Sequence, residues 1–416
     1  MTPPAERACC ADLTRLSRRS LLGGAVALAG ATTMIGTAAV TTSAAGVTPA
    51  SSVLVVLSLR GACDGLSLVV PHGDPVYALS RPSIAVPPDR LLARDAMFGL
   101  HPQLAPLLPL WESGRLAAVH AAGLPAPNRS HFAAMEEFEA ADPGTKERTG
   151  WLNRLIGTSA SGSPLQGFNV GAGVVPTSLY GTQEVMSADD VDAVRVPGDD
   201  EWDKTHGRRT SLHTLWDGDR GPLGTAMRSM FDAIDDFAPV RETADHRTTY
   251  PDSDLGRALS AAARVIRGNV GVEVVTVDHG DWDMHSDLGG VDRGWLHDNA
   301  GELASSVAAF FDDLGDQASK VTLVTISEFG RRVVENASRG LDHGYGNVMF
   351  LAGAGVKGGR YYGSWAGLTA DDDADLLVTT DYRSVLSEVV TSRFGASTAT
   401  VFPGFSPESV GVMTSS

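Results

Sequence analysis

Four runs that are apolar and largely branched at nearly every position constrain this chain most: residues 52–59 (SVLVVLSL), 272–277 (VEVVTV), 321–326 (VTLVTI) and 348–353 (VMFLAG). A strand that alternates apolar and polar residues can face water on one side, but one that is apolar throughout must be covered on both. Between the runs lie segments of helical pattern at 101–113, 131–141, 255–268, Trp295–Leu314 and Tyr382–Phe394, with a further short apolar strand at 116–121. Strands and helices in this alternation predict an α/β fold, with a mostly parallel central sheet sandwiched between helices. Residues 157–249 are rich in Gly, Ser, Asp and Pro and are expected to form a loop-rich insertion with one helix near 226–237. No period of 20–50 residues recurs, which excludes a repeat array.

The first 45 residues follow other rules. Ser17-Arg18-Arg19-Ser20-Leu21-Leu22 is a twin-arginine pattern, an apolar stretch follows over 21–40, and Ser43-Ala44-Ala45 supplies small residues for cleavage. A basic start, a mild Gly/Ala-rich centre and a small-residue exit describe an export signal; the centre is too interrupted by Gly and Thr to persist as a membrane span. The expected partner is the twin-arginine translocation machinery, and the expected location is extracellular, periplasmic or in the cell envelope, with no stable span after cleavage. Residues 46–416 would then form a single α/β domain. The whole chain carries 33 Lys+Arg against 50 Asp+Glu, and losing four Arg and two acids with the signal leaves 29 against 48, a net charge of −19. Such an acid excess excludes nucleic acid as a partner, because phosphate backbones demand surplus cations. Cys9 and Cys10 leave with the signal, so Cys63 stands alone, and any metal must be held by His and carboxylates.

Those residue types gather just past the predicted strands, where open α/β sheets bind their ligands. Asp64 follows the first strand, and Ser130 opens the helix after the second. Asp278, His279, Asp281, Asp283 and His285 follow the third in VDHGDWDMH. Ser327, Glu328 and Arg331 follow the fourth in ISEFGRR, and Asp342 and His343 precede the fifth in LDHGYG. Taken singly each has a plain explanation: Asp64 as a turn residue, Ser130 as a helix cap, Glu328 as a helical ion-pair partner of Arg331 or Arg332. Their joint position at strand ends points to a divalent metal, Zn, Mn, Mg or Ca, in one or two sites.

The stretches LRGACDGLSLVVP (59–71), NRSHFAAMEEFE (128–139), DWDMH (281–285), TISEFGRR (325–332) and GLDHGYGNVMFLAGAGVKGGRYYG (340–363) resemble the exported bacterial domain-of-unknown-function family 1501. That family is similar to the alkaline phosphatase and sulfatase superfamily, so the resemblance implies an alkaline phosphatase-like fold, two metals and a nucleophile at a helix N-terminus. Carried over by position, Asp64 matches a metal-binding Asp after the first strand and Ser130 the nucleophile. Asp283 and His285 resemble an Asp/His metal pair, with Asp281 as an alternative partner for His285. Glu328 falls at the first residue of a second metal pair, and His343 resembles the late metal-binding His. Phe329 stands where that second pair would have its His, which leaves one metal, a weakened second site, or none. Arg129 and Arg331 are candidate clamps for non-bridging ester oxygens, and His131 is a candidate acid or base. The implied function is an exported, metal-dependent hydrolase of phosphate or sulfate esters on anionic small molecules or glycans. The alternative is a non-catalytic cell-envelope binding protein that keeps the fold.

Overall fold

The strand Val53–Leu59 is buried at all seven positions, and its side chains alternate between two cores. Val53, Val55, Leu57 and Leu59 enter one hydrophobic cluster, and Leu54 and Val56 enter the other. This two-sided burial is what an uninterrupted apolar strand requires, and it forces helices onto both faces of the sheet. The computed structural model describes residues 33–35, 38–40, 48–142, 148–159, 163–171, 174–199 and 202–415.

The strands of the central sheet are β1 (Thr33–Ile35), β2 (Ala38–Val40), β3 (Val53–Leu59), β4 (Leu116–Gly123), β5 (Gly167–Val170), β6 (Met186–Ala188), β7 (Val274–His279), β8 (Val321–Ile326), β9 (Asn347–Gly353), β10 (Arg360–Tyr362) and β11 (Thr380–Asp381). From edge to edge they run β1-β2-β6-β5-β7-β3-β8-β9-β4-β10, with β11 beside β4. The five strands from β6 through β8 are mutually parallel. β9 runs against both of its neighbours, β8 and β4. The reversal matters: it brings the chain entering β9 to the same edge of the sheet as the chain leaving β3, β4, β7 and β8.

One face is covered by α5 (Asp254–Gly268) and α6 (Trp295–Leu314), after the earlier helices α1 (His131–Ala140), α2 (Trp151–Ile156), α3 (Gly207–Trp216) and α4 (Pro222–Asp236). The other is covered by α1, α2 and α7 (Tyr382–Phe394). In α5, Leu255, Leu259, Ala262, Ala263 and Ile266 form the buried stripe expected at a period of 3.6. Ser253 Oγ accepts from Gly256 N–H at its start, and Asn269 closes it in the left-handed conformation. Burying one such Leu stabilises the fold by about 1.5–3 kcal/mol, so these stripes outweigh local propensity.

The expectation for 157–249 needs correcting. Among its described residues that stretch supplies two strands of the sheet, β5 and β6, and three α-helices, Ala238–Glu242 besides α3 and α4. β5 and β6 have only four and three residues, too short to stand out as apolar runs, and they exist because β7 offers β5 a partner and β5 in turn offers one to β6. Within the predicted export signal, β1 and β2 pair antiparallel and extend the β6 edge. Arg18-Arg19 and Ser43–Ala45 lie outside the described residues. Among the described residues no helix is long and apolar enough to cross a membrane.

Candidate metal centre

Four chain segments meet at the shared edge of the sheet. The loop leaving β7 carries Asp283 and His285, the loop leaving β8 carries Glu328 and Phe329, the loop entering β9 carries Asp342 and His343, and α1 begins at His131. The loops around β8 and β9 are zipped together: Arg332 N–H donates to the Asp342 carbonyl at 3.0 Å and Gly344 N–H to the Gly330 carbonyl at 2.8 Å. Two glycines of GLDHGYG permit this closeness. A Cβ on Gly340 would lie 2.2 Å from the His285 carbonyl carbon, and one on Gly344 would lie 2.4 Å from the Arg331 carbonyl carbon. Any side chain there would force the loops, and the imidazoles they carry, apart.

Three imidazole nitrogens and one carboxylate oxygen converge at this point. His343 Nε2 lies 2.9 Å from both His131 Nε2 and His285 Nε2. Asp283 Oδ1 lies 3.0 Å from His285 Nε2 and 3.4 Å from both His131 Nε2 and His343 Nε2. His131, Asp283 and His343 together place one ligand atom each within 4.8 Å of one another, and His285 touches the same atoms of Asp283 and His343. Ligands of a tetrahedral zinc, with bonds of roughly 2.0–2.1 Å, sit about 3.3 Å apart. The observed spacings of 2.9–3.4 Å are close to that separation.

The other nitrogen of each ring has an acceptor. His131 Nδ1 donates to Glu328 Oε1 at 2.8 Å, His285 Nδ1 to Asp342 Oδ1 at 3.0 Å, and His343 Nδ1 to the Arg129 carbonyl at 3.0 Å. A carboxylate or a carbonyl only accepts, so these partners place a proton on each Nδ1 and turn each Nε2 toward the cluster. Lone pairs facing each other at 2.9 Å repel unless a proton or a metal lies between them. Burial first, reinforced by the charge of Arg331, lowers the His343 pKa, although its bond to the Arg129 carbonyl opposes this. Burial works against ionisation of Asp283, but the hydrogen bond and charge of Arg331 outweigh it and hold the carboxyl below the usual range. The hydrogen bond from His285 likewise lowers Asp342. Neutral imidazoles and ionised carboxylates are the forms that bind metal.

The residues singled out in the sequence divide sharply. Asp283, His285 and His343 meet in the cluster. Asp64 does not serve it: both of its oxygens are taken by Arg81, with Nη1 at 2.5 Å and Nη2 at 3.0 Å. Both side chains are buried, and a buried carboxylate binds whichever cation seals it from water. Glu328 turns its Oε1 away from a place in the cluster: that oxygen accepts from His131 and from Gly61 N–H at 2.9 Å, so it holds the His131 ring. Arg331 is no clamp either. It is buried, and its guanidinium is consumed by the carbonyls of Gly61, Ala62, Trp282 and Leu341 and by Asp283 Oδ1 at 2.6 Å. A buried guanidinium must satisfy its donors internally, and here it ties three loops together behind the cluster. Arg129 is exposed, with its side chain on Asp375.

Ser130 is exposed at the start of α1; its N–H donates to Asn128 Oδ1 and its hydroxyl does not cap the helix. Asp281 is exposed in a left-handed turn, and only its carbonyl is engaged, by Asn299. Phe329 is buried, with its ring 4.9 Å from that of His131 and 5.0 Å from that of His343, an apolar wall behind both. The third imidazole of the cluster is that of His131. Its signal in the sequence was its place beside Ser130, at a helix start following a strand, among other strand-end His and Asp residues.

A cleft of about 510 Å³ opens from the cluster, lined in part by His285, His343, Arg129, Arg332, Asp342 and Asp372. A second cleft of about 500 Å³, at Lys357 and Glu388, involves none of these residues. The model of a protein family described as "Protein of unknown function (DUF1501)" matches residues 105–388, a span that takes in every member of the cluster and leaves Asp64 outside. No curated protein matches the chain.

Proposed function

Because the chain belongs to the DUF1501 family, whose description assigns no chemistry, we propose its function from the cluster itself: an exported, metal-dependent hydrolase of phosphate or sulfate esters with an alkaline phosphatase-like fold. One observation carries the reading, the convergence of three oriented imidazole lone pairs and an ionised carboxylate at the mouth of a cleft. Three nitrogens and one oxygen suit Zn or Mn better than Mg or Ca, which prefer all-oxygen sites. A divalent cation held there supplies Lewis-acid polarisation of an anionic ester and lowers the pKa of a nearby hydroxyl.

The chain's own residues supply the rest. Ser130 offers a hydroxyl that is not spent on capping, at the N-terminus of a ten-residue helix whose free N–H groups and partial positive charge favour an anion. Arg331 fixes Asp283, while Glu328, Asp342 and the Arg129 carbonyl fix the three rings. Phe329 keeps water from the inner side of His131 and His343. The twin-arginine pattern supports export after folding, with the metal already aboard. A non-catalytic binding protein of the cell envelope is the second reading. It is favoured by the Ser130 hydroxyl, which touches no general base among the described residues.

The test is metal analysis of the chain purified without residues 1–45, followed by a screen of phosphate and sulfate esters. Stoichiometric Zn or Mn, with ester hydrolysis lost in Ser130→Ala, is the expected result. Metal without hydrolysis of any ester would favour the binding protein, and no metal, with no change in any ligand affinity on replacing Asp283 or His285, would overturn both.

A further inference from the structure

We infer, resting on the metal-centre reading, that Asn336 is the positioning residue that holds His285 ready to bind the metal. The other two imidazoles are held from within the fold. The Glu328 carboxylate that receives His131 is only 3% exposed, and His343 donates to a main-chain carbonyl. His285 has no such support: its Nδ1 donates to Asp342 Oδ1, on a carboxylate that is 60% exposed. A hydrogen bond to a solvated carboxylate competes with water, and it fixes a ring only where the acceptor is itself fixed. Asn336 fixes it. Its Nδ2 donates to the same Asp342 Oδ1 at 3.1 Å and to the His285 carbonyl at 2.9 Å. One amide therefore grips His285 through both its main chain and the partner of its ring.

The amide has only one orientation. Its Oδ1 accepts from Ser338 N–H and Gly340 N–H, both at 3.0 Å. A flipped amide would set N–H against N–H there, and oxygen against two oxygens at the other end. Two main-chain bonds close the turn around it, Asn336 N–H to the Gly340 carbonyl at 2.9 Å and Arg339 N–H to the Asn336 carbonyl at 3.0 Å. The turn is fastened to the chain on both sides of His285. Leu341 N–H donates to the Met284 carbonyl, Asp287 N–H to the Ser338 carbonyl and Leu288 N–H to the Arg339 carbonyl. These bonds hold the two Asn336 donors in place relative to His285, as a preorganised ligand requires.

Asn336→Asp and Asn336→Ser test this, because each keeps an oxygen suited to the turn and removes the pair of amide donors. The neutral serine controls for the charge that aspartate adds, and it carries the test should the aspartate variant fail to fold. Zinc affinity of the full chain would be measured by chelator competition, with urea midpoints of the metal-free proteins as the control for folding. Both variants are expected to bind zinc about tenfold more weakly than the unsubstituted chain. Asn336→Asp combined with Asp342→Asn exchanges donor and acceptor: the amide at 342 can donate to the carboxylate at 336 and keep its oxygen for His285. That double variant should bind zinc no more weakly than Asp342→Asn alone, a rescue that a purely structural turn residue would not give. Zinc affinity within about twofold of the unsubstituted chain in the folded single variants, or losses that simply add in the double, would overturn the role of Asn336 and leave the metal centre standing. No zinc on the unsubstituted chain would overturn the metal-centre reading, and this inference with it.

Discussion

Asp64 and Asp283 occupy comparable places, each a few residues past the carboxyl end of a parallel strand, yet they end in opposite chemistry. Asp64 is sealed by Arg81, which also bonds Ser67 Oγ and the carbonyls of Arg332 and Val333, so the carboxylate is saturated and dry. Asp283 is also held by an arginine, Arg331, but through Oδ1 alone, on a side chain 49% exposed beside three imidazoles. The first arrangement is a strut and the second an open site. A strand-end carboxylate becomes a ligand only where its neighbours leave it a free lone pair and a route to solvent.

Substitutions at the two places should therefore separate cleanly. The largest effect is expected for His131→Ala combined with His343→Ala, which should reduce bound metal from stoichiometric to none by elemental analysis, while Asp64→Asn leaves it in place. A loss of metal in Asp64→Asn with the fold intact would break the comparison. Arg81→Met should destabilise the chain by about 3–5 kcal/mol in urea unfolding, because it strands a buried charge, with metal content of the folded protein unchanged.

Two core imidazoles test the same contrast between sealed and open groups. Burial pushes His101 and His120 down to about 4, so both stay neutral in the fold. The unfolded chain, with imidazoles near 6.5, binds more protons between these values. Stability is thus fully present above pH 6.5 and falls as pH drops toward 4, by up to about 3 kcal/mol for each ring. His120→Phe should flatten that slope in urea midpoints taken across the range; an unaltered slope would show that this ring is not sealed. Smaller again are the effects on the groups that orient the cluster. Glu328→Gln and Asp342→Asn should each weaken metal affinity by roughly 10–100-fold in chelator competition. Smallest is Ser130→Ala, expected to change metal affinity less than about twofold, since its hydroxyl makes no bond to the cluster.

Much of the architecture was legible. The helices Trp295–Leu314 and Tyr382–Phe394 and the strand Val321–Ile326 fall where the apolar pattern put them, because burial of a continuous stripe or run has one geometric solution. β5 and β6 were not, since strands of four and three residues are defined by their partner and not by their own pattern. The sequence puts Asp283, His285 and His343 at strand ends, and the structure brings them together; the place of His131 among them, and the hydrogen bonds of Glu328 and Asp342 to the rings, were not legible.

The sequence by itself determined that this chain builds a two-sided α/β sheet and gathers His and acids at its strand ends, because both follow from local pattern. Only the tertiary structure decided which acids meet a cation and which cation it is. Glu328 finds His131 across 197 residues and His285 finds Asp342 across 57, while Asp64 is captured by an arginine 17 residues away. Those choices depend on the reversal of β9 and on loop contacts that glycine alone allows, and no local pattern encodes either.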